Sequence, residues 1–68
     1  MYQLFTQCNR ITEKPTFDEA ERAAIAFAGQ EMVDVIIYDP DQIPGHIDRW
    51  LVRAGQPFVQ AAHTKVAA

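Results

Sequence analysis

Residues 16–38, TFDEAERAAIAFAGQEMVDVIIY, decide the fold, because they join a capped helix to a buried strand. Thr16 stands three residues before Glu19, which is the spacing of a capping box. In that motif the Thr16 hydroxyl accepts from the backbone N–H of Glu19, and the carboxylate reaches back. The pattern predicts that a helix begins directly after Thr16.

The predicted helix covers residues 17–28 and carries one apolar face. At 100° per residue, the apolar side chains of this segment fall on one continuous arc. Gly29 follows and can adopt the left-handed conformation with which many helices end, so we expect the helix to stop there. Because the arc consists mostly of alanine, the helix can lie close to a sheet. The arc comprises Phe17, Ala20, Ala23, Ala24, Phe27 and Ala28.

Residues 32–38, MVDVIIY, are rich in β-branched side chains and predict a central strand. Val33, Val35 and Ile37 would face one side of the sheet, and Asp34, Ile36 and Tyr38 the other. Both sides are apolar near the end of this strand. We therefore expect both to be covered there, one of them by the helix.

The chain before the helix predicts one strand over residues 2–8, which alternate in polarity. The polar residues 9–15 end in Pro15 and predict a connection into the helix. The order strand, helix, strand allows a right-handed crossover in which the strands over 2–8 and 32–38 are parallel neighbours. The two strands could equally flank a third.

The region after residue 45 permits two interpretations. A second helix over 44–54 fits the periodicity and places Pro44 in a first turn. A strand over 46–53 fits the β-forming residues between His46 and Val52, and would place Trp50 on one face with Asp48 and Val52. We choose the strand, because two short strands alone make a poor sheet.

The prediction is therefore one small α+β domain over residues 1–68, with the order β-α-β-β. One helix (17–28) packs on a three-stranded sheet (2–8, 32–38 and 46–53), and the chain frays from about residue 61. A domain of 68 residues is near the size at which a single core only just offsets chain entropy. A partner chain would stabilise it.

Composition and charge narrow the classes of function. The net charge of −3 provides no basic stripe, so we do not expect nucleic acid as a partner. The single cysteine excludes an internal disulfide, and no apolar run is long enough to span a membrane. We therefore expect a cytoplasmic protein. The order of elements is similar to that of many short free-standing bacterial proteins of unknown function.

The residues whose side chains could act in catalysis or bind a metal or cofactor form no recognised site. Cys8, His46 and His63 have no spacing typical of a zinc site, and the three glycines form no phosphate-binding loop, so we expect neither a metal nor a cofactor. His46 and Asp48 would share one side of a strand and could orient a general base. An alternative function is therefore a small enzyme, or an enzyme subunit, in which an intersubunit cleft uses His46, Asp48 or Cys8.

Our first hypothesis is a non-enzymatic protein-interaction module, with a regulatory, adaptor or inhibitory role. One helix cannot cover both faces of a sheet, so some apolar surface should remain for a homodimer or for another protein. Tryptophan, tyrosine and arginine are favoured anchors of such surfaces. The candidate interaction surface comprises Ile36, Tyr38, Arg49, Trp50 and Leu51.

Overall fold

The computed structural model describes the backbone of residues 1–7, 9–41 and 45–64, and side chains as far as residue 61. In these segments the chain forms one α-helix and five β-strands. Their order is β1 (Tyr2–Phe5), β2 (Arg10–Lys14), α1 (Phe17–Glu31), β3 (Val35–Tyr38), β4 (Ile47–Val52) and β5 (Gln60–Thr64).

The strands form one five-stranded sheet in the order β2-β1-β3-β4-β5, with every neighbouring pair antiparallel. The helix packs on one face of this sheet, which confirms the predicted α+β class. The sequence predicted three strands, two fewer than the structure contains in its described residues, because it missed β2 and β5. These two strands are the edges of the sheet, and each pairs with only one described neighbour.

The first missed strand, β2, lies within residues 9–15, for which the sequence predicts a plain connection. It forms a hairpin with β1 in which Leu4 pairs with Thr12 and Phe5 with Arg10. The turn is closed by Thr6, whose backbone N–H donates to the carbonyl of Asn9 at 2.8 Å. The first strand therefore ends at Phe5 rather than at residue 8.

The second missed strand, β5, lies at the start of the segment that the sequence predicts to fray from about residue 61. Residues 60–64 pair with β4 over nearly its whole length, from Leu51 opposite Gln60 to Ile47 opposite Thr64. Residues 65–68, the rest of the predicted tail, lie outside the described residues.

The helix begins as predicted and ends later. The side chain of Thr16 accepts a hydrogen bond from the backbone N–H of Glu19 at 3.2 Å, which confirms the N-cap. Gly29 does not end the helix, which continues to Glu31. The residue in left-handed conformation is Met32, with φ 54° and ψ 45°.

The predicted apolar arc is the face that α1 turns to the sheet. Ala20, Ala24 and Ala28 are fully buried in the core, together with Leu4, Val35, Ile37 and Val52 of the sheet. Because alanine projects only one methyl group, the helix backbone can lie close to the strands. The larger Phe17 and Phe27 lie at the borders of this contact and are partly buried.

The strand interpretation of residues 46–53 is confirmed by β4, and the alternative helix over 44–54 is wrong for the described part of that range. Residues 42–44 lie outside the described residues. Asp48, Trp50 and Val52 share the face of β4 that is turned towards α1, as the strand interpretation required.

The crossover prediction also needs correction. The strands β1 and β3 are neighbours but run antiparallel, with Leu4 opposite Ile37. The helix instead connects β2 to β3, which are parallel to each other and lie on either side of β1. Within the described residues, no helix is long and apolar enough to cross a membrane.

Replacing Thr16 by alanine tests the helix cap. The change removes the acceptor for the N–H of Glu19, and we expect it to lower the free energy of unfolding by about 1 kcal/mol. Urea denaturation followed by circular dichroism measures the change. Thr16→Ser, which keeps the acceptor, is the control and should lose much less. Equal stability of the wild type and Thr16→Ala would show that the cap contributes nothing.

Replacing Trp50 by alanine tests its position beneath the helix. Its ring lies 4.7 Å from that of Phe17 and 6.0 Å from that of Tyr2, so removing it should cost about 3 kcal/mol of stability. The tryptophan emission of the wild type should not change on dilution, because these contacts lie within one chain. A red shift on dilution would place Trp50 in an intermolecular contact instead.

Candidate interaction surface

The sheet face opposite α1, which we call the open face, is covered by no described helix or strand. Its centre is a row of three apolar side chains across adjacent strands, since Phe5 pairs with Ile36 and Ile36 with Leu51. All three are half-buried. The row therefore forms a continuous apolar strip across β1, β3 and β4.

A second row on the open face adds an aromatic ring and a positive charge. Tyr38 pairs with Gln3 on one side and Arg49 on the other. The guanidinium carbon of Arg49 lies 5.3 Å from the centre of the Tyr38 ring, a distance typical of a cation–π contact. The contact holds the arginine against the sheet, with the side chain still exposed.

The structure brings together four of the five residues of the predicted surface, and separates the fifth from them. Ile36, Tyr38, Arg49 and Leu51 lie on the open face, whereas Trp50 lies on the helix side with Tyr2 and Phe17. The alternation within β4 dictates this separation, because neighbouring residues of a strand face opposite sides.

Phe5 belongs to the open face and is absent from the predicted surface. The signal for it was present, since the alternation of residues 2–8 separates Phe5 from Leu4. What the sequence does not contain is the register that places Phe5 opposite Ile36. That register depends on pairing between residues 31 or more positions apart in the chain.

A groove of about 840 Å³ lies at the end of the sheet where β1 ends and β3 begins. We call it the end groove. It reaches Ile36 and Leu51 of the open face, and passes to Phe27 near the end of α1. Its apolar lining also includes Met32 and Val33, which connect α1 to β3. The end groove therefore extends the open face around the edge of the domain.

Met32 and Val33 are unusual because they are large apolar residues with much of their surface exposed. The exposed fraction is 64% for Met32 and 37% for Val33. Met32 also has a positive φ of 54°, which side chains with a Cβ rarely adopt. The left-handed conformation belongs to the end of α1, where it is common, whereas exposed large apolar side chains at the border of a groove are typical of a binding surface.

The described charged residues that line the end groove are both acidic, namely Glu31 and Asp34. The Oδ1 atom of Asp34 accepts a hydrogen bond from the backbone N–H of Ala54 at 2.8 Å, which fixes this carboxylate beside the groove. The negative end of the dipole of α1 lies in the same place, and its last turn contains no basic residue. The end groove therefore favours positive charge.

The residues proposed for the enzyme alternative are not gathered at the described surface. His46 is exposed and precedes β4, whereas Asp48 is buried on the helix side at 4% exposure. Cys8 lies outside the described residues, and His63 is described only by its backbone, opposite Arg49. Among the described residues, no group of three or more histidine, cysteine, aspartate or glutamate side chains could hold a metal ion.

No family model, curated protein or solved structure matches the chain. Function must therefore be argued from the geometry of the open face and the end groove.

Replacing Met32 by glycine tests the strain at the end of the helix. Glycine adopts positive φ without cost, so Met32→Gly should raise the free energy of unfolding by up to about 1 kcal/mol. Met32→Ala, which removes the same long side chain but keeps a Cβ, is the control and should not gain this stability. Both variants are measured by urea denaturation. A less stable Met32→Gly would mean that the side chain is held by contacts that outweigh the strain.

Proposed function

We propose that the chain is a small non-enzymatic protein-interaction module, with a regulatory, adaptor or inhibitory role, that binds its partner through the open face. The partner is another protein or a second copy of the chain. The proposal keeps the cytoplasmic location expected from the sequence. No described observation favours the enzyme alternative.

The observation that carries the proposal is the apolar strip of Phe5, Ile36 and Leu51 beside Tyr38 and Arg49. A tyrosine and an arginine at the border of an apolar centre are the residue types enriched where proteins bind one another. The arginine is already held by the tyrosine ring, so binding would cost less side-chain entropy.

The size of the open face predicts weak or transient binding. Five strands spaced by about 4.8 Å, with four to six residues each, give a face on the order of 300–400 Å². A standard protein interface buries about 800 Å² on each partner. The open face alone is smaller than that, so a stable complex would also need an adjacent surface such as the end groove.

Site-specific photocrosslinking in the native host tests the proposal. A photoreactive benzoylphenylalanine replaces Leu51 on the open face, and in a matched control it replaces Phe58, which is 53% exposed in the segment between β4 and β5. We expect one dominant crosslinked species from position 51, identified by mass spectrometry, and little from position 58. A product that contains only the chain itself would identify the second copy.

A variant that removes part of the apolar strip gives a second test of the proposed function. Ile36→Thr keeps a β-branched residue in β3 and removes part of the apolar strip, so the fold should persist and the crosslink from position 51 should weaken. Equal crosslinking from positions 51 and 58, or a crosslink that Ile36→Thr leaves unchanged, would contradict the proposed function.

A further inference from the structure

We propose that the end groove binds a segment of another polypeptide that combines an apolar side chain with neighbouring lysine or arginine residues. The inference rests on the proposed function, since the groove is continuous with the open face through Ile36 and Leu51. It adds the position of the contact and the chemistry of the partner.

The floor and border of the groove are suited to an apolar side chain. Phe27 is partly buried and packs against the core, while Met32 and Val33 stand at the surface. Methionine adapts its shape to the group that it contacts, and is common on surfaces that bind varied apolar partners. Covering Met32 and Val33 would remove two of the exposed large apolar side chains of the domain from water.

The charges around the end groove favour a partner segment with positive charge. The carboxylates of Glu31 and Asp34 and the carboxyl end of α1 act in the same direction, and no basic side chain is among the described residues that line the groove. Arg53 precedes the lining residue Ala54 in the chain, is exposed and does not line the groove. An acidic segment would therefore be repelled, whereas a basic one would be attracted.

A second depression, on the described surface beside β2 and the first turns of α1, shows no such preference for one charge. It has a volume of about 630 Å³ and is lined by Glu13, Glu19, Lys14 and Arg22 together with Pro15 and Ala23. Two acidic and two basic side chains leave it without a dominant charge. The end groove differs in both respects, since it has a large apolar lining and charges of one sign.

A selection from a random library tests the inference while the partner is unidentified. The probe is a library of random dodecapeptides displayed on phage, selected against the intact folded chain. We expect the enriched peptides to contain apolar residues next to lysine or arginine, and to be poor in aspartate and glutamate. The most enriched peptide is then synthesised with a fluorescent label, together with a version in which glutamate replaces each basic residue.

Fluorescence anisotropy compares these peptides on matched variants of the chain. Glu31→Gln with Asp34→Asn removes both charges and keeps an oxygen that can accept from the N–H of Ala54. We expect the double variant to weaken binding of the basic peptide by about threefold to tenfold. Glu19→Gln with Glu21→Gln removes two charges near the other end of α1 and should leave the affinity unchanged.

Amide chemical shifts locate the bound peptide. On addition of the basic peptide, we expect the largest changes at Met32 and Val33, and a weaker affinity at higher salt. No enrichment, enriched peptides that are acidic or uncharged, or equal affinity for the variant without Glu31 and Asp34 charges would overturn the inference. So would a second copy of the chain occupying the groove in place of the peptide.

These outcomes are distinct from failure of the proposed function. If position 51 gives the crosslink but no basic peptides are selected, the proposed interaction module is retained and only the inference of a cationic partner is contradicted. If the crosslink is not specific to position 51, the proposed function is contradicted, whichever peptides are enriched.

Discussion

The structure depends on the close contact between the alanine face of one helix and one face of a five-stranded sheet. Ala20, Ala24 and Ala28 have no exposed surface, and the fully buried side chains opposite them are aliphatic. A single helix about 22 Å long can cover only one face of this sheet. The same contact that builds the core therefore leaves the open face without a described helix or strand on it.

This one-sided arrangement gives neighbouring residues of a strand different roles. In β3, Val35 and Ile37 belong to the core, whereas Ile36 and Tyr38 lie on the open face. In β4, Trp50 packs against Phe17, and Leu51 faces the other way. Substitutions one residue apart should therefore separate effects on stability from effects on binding, and the proposed function relies on this separation.

Local signals in the sequence were sufficient for the helix start, for the existence of β3, which begins at Val35 rather than at residue 32, and for the alternation within β4. They did not show which side of β4 the helix covers, so Trp50 was grouped with Leu51. They were insufficient where tertiary contacts decide. The turn between β1 and β2 lacks the Asn-Gly or Asp-Gly pair typical of two-residue hairpin loops, and β5 contains Ala61 and Ala62, which have low strand propensity. These edge strands are stabilised by pairing with β1 and β4, which periodicity within one segment cannot reveal.

The end of the helix was also decided by a contact that the local sequence does not show. Gly29 offered the usual stop signal, yet the helix continues for two residues and Met32 takes the left-handed conformation. The backbone N–H of Gly55 donates to the carbonyl of Ala28 at 3.3 Å, so the distant segment after β4 stabilises this end of the helix. The candidate surface was likewise predicted in part, because its residues were identifiable but the grouping of Phe5 with Ile36 required the register.

The central claim is that α1 covers one face of the sheet and that no described helix or strand covers the other. Solvent accessibility of methyl groups measures this directly. A soluble gadolinium chelate broadens the NMR signals of methyl groups that it can approach. In dilute protein, the account predicts strong broadening for Ile36 and Leu51 and little for Val35 and Ile37. Equal protection of all four in a monomer would show that part of the chain covers the open face, and would contradict the account.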